Sequence, residues 1–246
     1  MSGNETTDIL SRSLRIIQQR RGHRAASDDI FLAWAGVRAS PDARRILDLG
    51  SGKGTVALLL LRALPSASAI GVEVHPAHHL LAVRNAALNG LSNRYHARLG
   101  DLRDPRVLDG EPSFDLICGA PPYMPLGSGV LPKDPGRAAG RFELNGGVED
   151  YAKTAASRLA VGGRVALLMN GSGRERALSA VARQGLGVSR LVSVRPRPRL
   201  APKYWLIECL AGWQGAFLEE DICIRAETGM SWSPEYRAVR TLLDLP

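Results

Sequence analysis

Three glycines that follow directly on an apolar strand constrain this chain more than any other feature. Ile46-Leu47-Asp48-Leu49-Gly50-Ser51-Gly52-Lys53-Gly54 leads from a strand-like segment, 43–49, into a helix-like one, 55–64, ended by Pro65. Without a Cβ, such a loop turns tightly and lets the backbone come close to a ligand. The alternation continues down the chain. Strand patterns recur at 69–74, 95–99, 114–118, 164–169, 188–194 and 204–210, and helix patterns at 76–89, 148–159 and 174–184. Residues 124–147 carry Gly and Pro without periodicity and read as a long loop. Strands spaced by helices predict a parallel sheet covered on both faces. The connection 195–203 is too short for a crossover helix, so the final strand should run antiparallel. Residues 8–39 read as helical with a polar interruption at 20–27, and 211–246 as a weakly defined tail.

The glycine spacing is G-x-G-x-G, with Thr at 55, so it departs from the dinucleotide fingerprint. Lys53 lacks the four-residue gap of a phosphate-loop lysine. Asp48 closes the strand two residues before the first glycine, where a carboxylate suits a cationic or hydroxyl-bearing ligand better than a pyrophosphate. Glu73 ends the second strand and can accept from both hydroxyls of a ribose. Asp101, after Gly100, can accept from an adenine amine. Each acid alone reads more readily as a solvated loop residue than as a ligand contact. Together they fall on one edge of a parallel sheet, the edge where ligands bind.

Bulk properties narrow the class. The chain of 246 residues carries a net charge of +8, with 28 Arg against 4 Lys. That balance suits an anionic partner, and genome composition accounts for it equally well. Cys118, Cys209 and Cys223 are widely spaced and form no CxxC pair, which argues for a reduced, cytoplasmic setting without a disulfide framework. The apolar run 56–61 stops at Arg62, far short of a membrane span, and the first 25 residues hold no apolar signal core. His75, His78 and His79 have no complete zinc spacing and read as surface or cap residues, so no metal is expected. His23 falls near the ligand edge without an assigned role.

The loop with Asp48, Gly50, Ser51, Gly52 and Gly54, together with Glu73 and Asp101, resembles the cofactor site of the class I S-adenosylmethionine-dependent methyltransferases. The resemblance spans about residues 20–210. It implies an α/β fold with a Rossmann-like seven-stranded sheet, helices on both faces and an antiparallel last strand. It also implies S-adenosylmethionine as cofactor, its methionine part on Asp48 and the glycine loop, its ribose on Glu73 and its adenine on Asp101. Within a single domain, 1–246, the expected parts are an N-terminal helical segment (1–40), a catalytic core (41–210) and a C-terminal tail (211–246).

The fourth strand ends in Ala120-Pro121-Pro122-Tyr123, a rigid turn that presents a ring. It resembles the Asn-Pro-Pro-Tyr motif of methyltransferases acting on planar amides and amines. There the acceptors localise the amine lone pair and the ring stacks on the substrate. Ala120 stands where that motif has Asn, so one side-chain acceptor is absent. Gln19-Arg20-Arg21-Gly22-His23-Arg24 and Ser27-Asp28-Asp29-Ile30-Phe31-Leu32-Ala33 are similar to the stretch before the glycine loop in bacterial valine-tRNA adenine-N6 methyltransferases. Arg137, Arg141, Glu143 and Gly146-Gly147-Val148-Glu149-Asp150-Tyr151 also resemble that group. The resemblance implies tRNA as partner and methylation of an adenine N6 amine. Arg137, Arg141, Arg195, Arg197, Arg199 and Lys203, on the ligand edge, would contact phosphate; an ordinary solvated surface is the competing reading. A protein glutamine or small-molecule acceptor stays open, as does a weakly active cofactor- and RNA-binding protein.

Overall fold

The computed structural model describes residues 4–22 and 24–246, so the expectation at His23 lies outside the described residues. An eight-stranded sheet forms the centre. Its middle is parallel: β3 (Arg45–Leu49) lies between β4 (Ser68–Glu73) and β6 (Phe114–Gly119), with β5 (Tyr95–Leu99) beyond β4. β7 (Leu159–Asn170) continues the parallel set on the other side, and β9 (Tyr204–Ala211) inserts antiparallel between β7 and β8 (Leu186–Arg195). With β10 (Leu218–Cys223) at the outer edge, the full order is β10-β8-β9-β7-β6-β3-β4-β5.

Helices cover both faces. α1 (Ser27–Ala39), α2 (Thr55–Ala63) and α3 (Pro76–Leu88) pack on one side, and α5 (Val148–Arg158) and α6 (Arg174–Arg183) on the other. The apolar run 56–61 is the middle of α2 and is buried along its whole length, because α1 covers the side that the sheet does not. Among the described residues no helix is long and apolar enough to cross a membrane.

Three expectations fail. The sheet has eight strands, not seven. The segment read as a loose tail supplies β10 (Leu218–Cys223), parallel to β8 at the edge, and α7 (Pro234–Leu242), which brings Tyr236 to 5.5 Å from the Phe31 ring. The strand that runs antiparallel is therefore β9, and the last strand in the chain is parallel to its neighbour. The N-terminal segment is also not helical throughout. β1 (Glu5–Ile9) and β2 (Arg15–Gln19) form an antiparallel hairpin ahead of α1, turned by the Ser11 hydroxyl, which accepts from the Ser13 and Leu14 amides. β2 buries Ile16, Ile17 and Gln18 in succession. That run hides the two-residue alternation of a strand.

The outer edge of β2 meets a helix instead of a third strand. Asn85 of α3, fully buried, accepts from the Ile17 amide at 2.7 Å and donates to the carbonyls of Ile17 (3.1 Å) and Lys53 (3.0 Å). One turn on, Asn89 does the same for Arg15 at 2.9 and 2.8 Å. Side-chain amides thus stand in for a strand and tie the hairpin to the glycine loop. Asn85→Ala strands three backbone groups, and each buried unpaired group costs about 1–3 kcal/mol. The expected outcome is a loss of at least about 2 kcal/mol in urea unfolding, with the unfolding slope unchanged.

Candidate functional site

At the C-terminal ends of β3, β4 and β6 the chain encloses a pocket. β3 itself supplies Asp48, the loop after it supplies Gly50, Ser51, Gly52 and Lys53, β4 supplies Glu73, and Asp101 follows β5. Ala120, Pro122 and Tyr123 after β6 line the same pocket, as do Asp28 and Asp29 from the first turn of α1. The sheet therefore brings most of the sequence-predicted residues together. Gly54 sits beneath the loop against the Tyr95 ring, off the pocket wall, and Pro121 is buried behind the turn.

Gly50 and Gly52 hold φ values of 64° and 55°, which strain any side chain. A Cβ on Gly50 would also strike the Tyr151 hydroxyl; one on Gly52 would meet nothing within 4 Å. The loop is thus packed from below by Tyr151 and open above. Glu73 fixes its shape: one carboxylate oxygen accepts from the Gly52 amide at 2.8 Å, the other from the His75 amide at 2.6 Å. Both oxygens keep a second lone pair for a ligand. Asp101 is clasped by its neighbour Arg103, whose Nε lies 2.9 and 3.0 Å from its two oxygens. Asp48 is 2% exposed, and its Oδ2 has no hydrogen-bond partner among the described residues.

The pocket is strongly acidic. Burial, then the charges of Asp29 and Glu73, push the Asp48 carboxyl well above the usual carboxylate range. Burial raises Asp29 to about 6, with Lys53 opposing and Asp28 adding to the rise, and burial raises Glu73 also. Lys53, 3% exposed, is the one ammonium in the lining, and desolvation lowers its pKa against the pull of Asp29 and Asp28. A cationic ligand would relieve this accumulation.

The far side of the pocket is built by Tyr123, whose hydroxyl is pushed up by burial and by the charge of Asp28. The chain then leaves the sheet and returns: Met124 and Phe142 pair across the base of an excursion holding α4 (Pro135–Arg141). Ala139 and Gly140 of α4 line the pocket, and Arg137 and Arg141 are exposed beside them. Arg176 anchors the return through Glu143 and Glu149 at 2.5 and 2.7 Å. Across the mouth, Lys203 and Tyr204 both reach the Ser27 hydroxyl, at 3.1 and 3.0 Å.

The remaining basic residues divide. Arg195 reaches Asp221 and the Leu200 carbonyl, and Arg197 the carbonyls of Ala226 and Gly229; their guanidiniums fasten the C-terminal segment. Arg199 stays exposed while paired with Glu227. His75 caps α3 as expected, but His78 is buried and lines the pocket, contrary to the surface reading. Asp29, Lys53 and Tyr151 were not foreseen as pocket residues. The consecutive acids opening α1, and a lysine inside a glycine loop, were the available signals.

Residues 46–125 match the family model for a methyltransferase domain. Over 242 residues the chain is 32% identical to a tRNA1(Val) (adenine(37)-N6)-methyltransferase from Porphyromonas gingivalis, covering 94% of this chain and 92% of that protein. A release factor glutamine methyltransferase from Geobacter sulfurreducens is 40% identical over 89 residues, 36% of this chain and 30% of its own. Among solved structures, a predicted O-methyltransferase from Agrobacterium tumefaciens superposes with a TM-score of 0.69 at 20% identity, covering 89% of this chain and 98% of that one. TrmN from Thermus thermophilus superposes with a TM-score of 0.52 at 23% identity, over 74% of this chain and 48% of its own. At these identities the two structures establish the fold.

The Asp29 carboxyl gives the ligand-free protein a pH signature. Its folded value, about 6, lies above the unfolded value of 3.8. Proton binding then favours the folded chain in full below the unfolded value, and that contribution is lost as pH rises through about 6. The melting temperature should fall between about pH 4 and about pH 6, and Asp29→Asn should shrink the fall, read by scanning calorimetry on both proteins.

Proposed function

The chain belongs to the S-adenosylmethionine-dependent methyltransferases, and from that membership we propose that it methylates the N6 amino group of an adenine in tRNA. The observation that carries the reading is the meeting of two surfaces in one pocket: buried acids on a glycine loop, and a Pro122–Tyr123 turn presenting a half-buried ring. Likeness over 94% of the chain to a tRNA adenine-N6 methyltransferase supports the acceptor. The whole of 1–246 then works as one methyltransferase unit, and a tRNA substrate places it in the cytoplasm.

S-Adenosylmethionine, when bound, supplies an electrophilic methyl group on a positively charged sulfur. The residues present fit it. Asp48 has a carboxylate oxygen without a partner, and Gly52 is open above. Asp48 with Gly50, Ser51 and Gly52 would hold the methionine part, with Gly54 shaping the loop from beneath, Glu73 would hold the ribose through its remaining lone pairs, and Asp101 the adenine. Tyr123 would stack on the acceptor base, and the Pro121 carbonyl would accept from its amine. Ala120 adds no side-chain acceptor. Arg137, Arg141 and Lys203 are the exposed cations beside this mouth and suit phosphate. Arg195 and Arg197 shape the rim from behind.

A second acceptor, the amide of a protein glutamine, draws support from the local likeness to a release factor glutamine methyltransferase. Methyl-labelled S-adenosylmethionine offered with unmodified tRNA, total protein and small metabolites separates the readings. The expected label is N6-methyladenosine in tRNA; label in protein or metabolites instead overturns the acceptor. By calorimetry, Asp48→Ala should abolish cofactor binding. Tyr123→Ala should raise KM for tRNA about tenfold to a hundredfold, the loss of one base stack. Arg137→Ala and Arg141→Ala should each weaken tRNA binding and lower its salt slope by about 1.

A further inference from the structure

Two carboxylate oxygens in the pocket lining are buried without a hydrogen-bond partner among the described residues: Asp48 Oδ2 and Asp28 Oδ1. The others are engaged. Glu73 accepts two amides, Asp101 accepts Arg103, and Asp29 Oδ2 accepts the Ala26 amide at 3.0 Å. The two orphans serve different ends of the pocket. Asp48 belongs to the glycine loop, and its charge is felt by Tyr95, Tyr151 and Cys118. Asp28 acts on Tyr123 at the acceptor end, and on Lys53 and Asp29 between.

Resting on the amine-acceptor reading above, we propose that Asp28 is a catalytic residue: its Oδ1 accepts the N–H of the substrate amine that the missing side chain at Ala120 leaves unbound. The same pocket holds Asp28, Ala120, Pro122 and Tyr123. An exocyclic amine has two protons, and the Pro121 carbonyl, on the reading above, would take only one. The Asp28 Oδ1 atom is out of water and without a donor, and a substrate N–H would supply one.

The carboxylate is also held in place before any substrate arrives. On one side of it, Asp29 locks the start of α1 by accepting from the Ala26 amide. On the other, Ser27 is pinned by Tyr204 and Lys203. Asp28 sits between two anchored residues, which limits the reorganisation needed during reaction.

The chemistry balances. The amine nitrogen donates its lone pair to form the new N–C bond, and the methyl–sulfur bond breaks with its electrons left on a neutral thioether. Positive charge then builds on nitrogen, next to the Asp28 carboxylate, and the surplus proton leaves along that hydrogen bond and on to solvent. A carboxylate answers this charge better than the carboxamide of an Asn does.

The test compares wild type, Asp28→Ala and Asp28→Asn, measuring cofactor Kd by calorimetry and single-turnover methylation of unmodified tRNA. Asp28→Ala should slow the chemical step by about 10²–10³ with cofactor Kd within about threefold, the loss of one acceptor at the reacting group. Asp28→Asn, which keeps an oxygen acceptor without the charge, should fall between. Asp28 is half-buried, so Asp28→Asn should keep a melting temperature close to that of wild type. A parallel loss of cofactor affinity and rate would assign Asp28 to the cofactor instead and overturn the proposal, as would wild-type rates in Asp28→Ala. If wild type itself leaves tRNA unlabelled, the acceptor reading falls and takes this proposal with it. Wild-type turnover with an unimpaired Asp28→Ala sinks this proposal alone.

Discussion

Asp29, Asp48 and Glu73 share one desolvated pocket with a single ammonium, that of Lys53, and the rest of the molecule is arranged to make that tolerable. Carboxylates crowded out of water repel one another and lose hydration. They persist only where backbone amides, a buried cation or a bound ligand compensate. Here the compensation is partial. Glu73 takes two amides from adjacent turns, and Asp29 takes one, but Asp48 and Asp28 each keep an oxygen without a donor. The parallel sheet imposes this crowding, because β3 and β4 end side by side and deliver their terminal acids to the same edge. A positively charged cofactor is the natural complement.

The walls are held from outside the sheet. Tyr151 fills the space under Gly50, so the loop cannot sag into the core. Asn85 joins the glycine loop to the N-terminal hairpin, and α1, which follows that hairpin in the chain, brings its acids to the pocket. Arg176, bridging Glu143 and Glu149, fixes the return of the excursion that carries α4. Each of these ties is made by a polar side chain acting across a long sequence separation. The apolar core supplies two smooth layers around the sheet, and these polar clasps decide where the loops stand on its edge.

Legibility in the sequence followed the range of the interaction. The glycine loop, Glu73 and the Pro-Pro-Tyr turn are local patterns joined to strand ends, and all but Gly54 and Pro121 of the predicted cofactor and acceptor residues line the pocket. The basic residues were legible as charge but not as function. Arg195 and Arg197 look free in sequence, and only the segment 221–229 folding back shows that their guanidiniums are spent on it. The hairpin β1–β2 was misread because consecutive burial at 16–18 erased the strand alternation. β10 and α7 were missed because a short edge strand has weak periodicity and gains its stability from β8, already formed elsewhere.

The sequence by itself determined the α/β alternation, the antiparallel β9 and the Pro-Pro-Tyr turn at the pocket, and its resemblance to a known family determined the cofactor class. The patterns behind these readings are a few residues long, and their conformational and chemical consequences are local. Tertiary structure alone decided that Asp28, Asp29 and Lys53 enter the pocket, that side-chain amides take the place of a strand beside β2, and that the sheet has an eighth strand. Those outcomes depend on which surfaces remain to be covered once the central strands have paired, and on which buried polar groups then lack partners. No local pattern records either quantity.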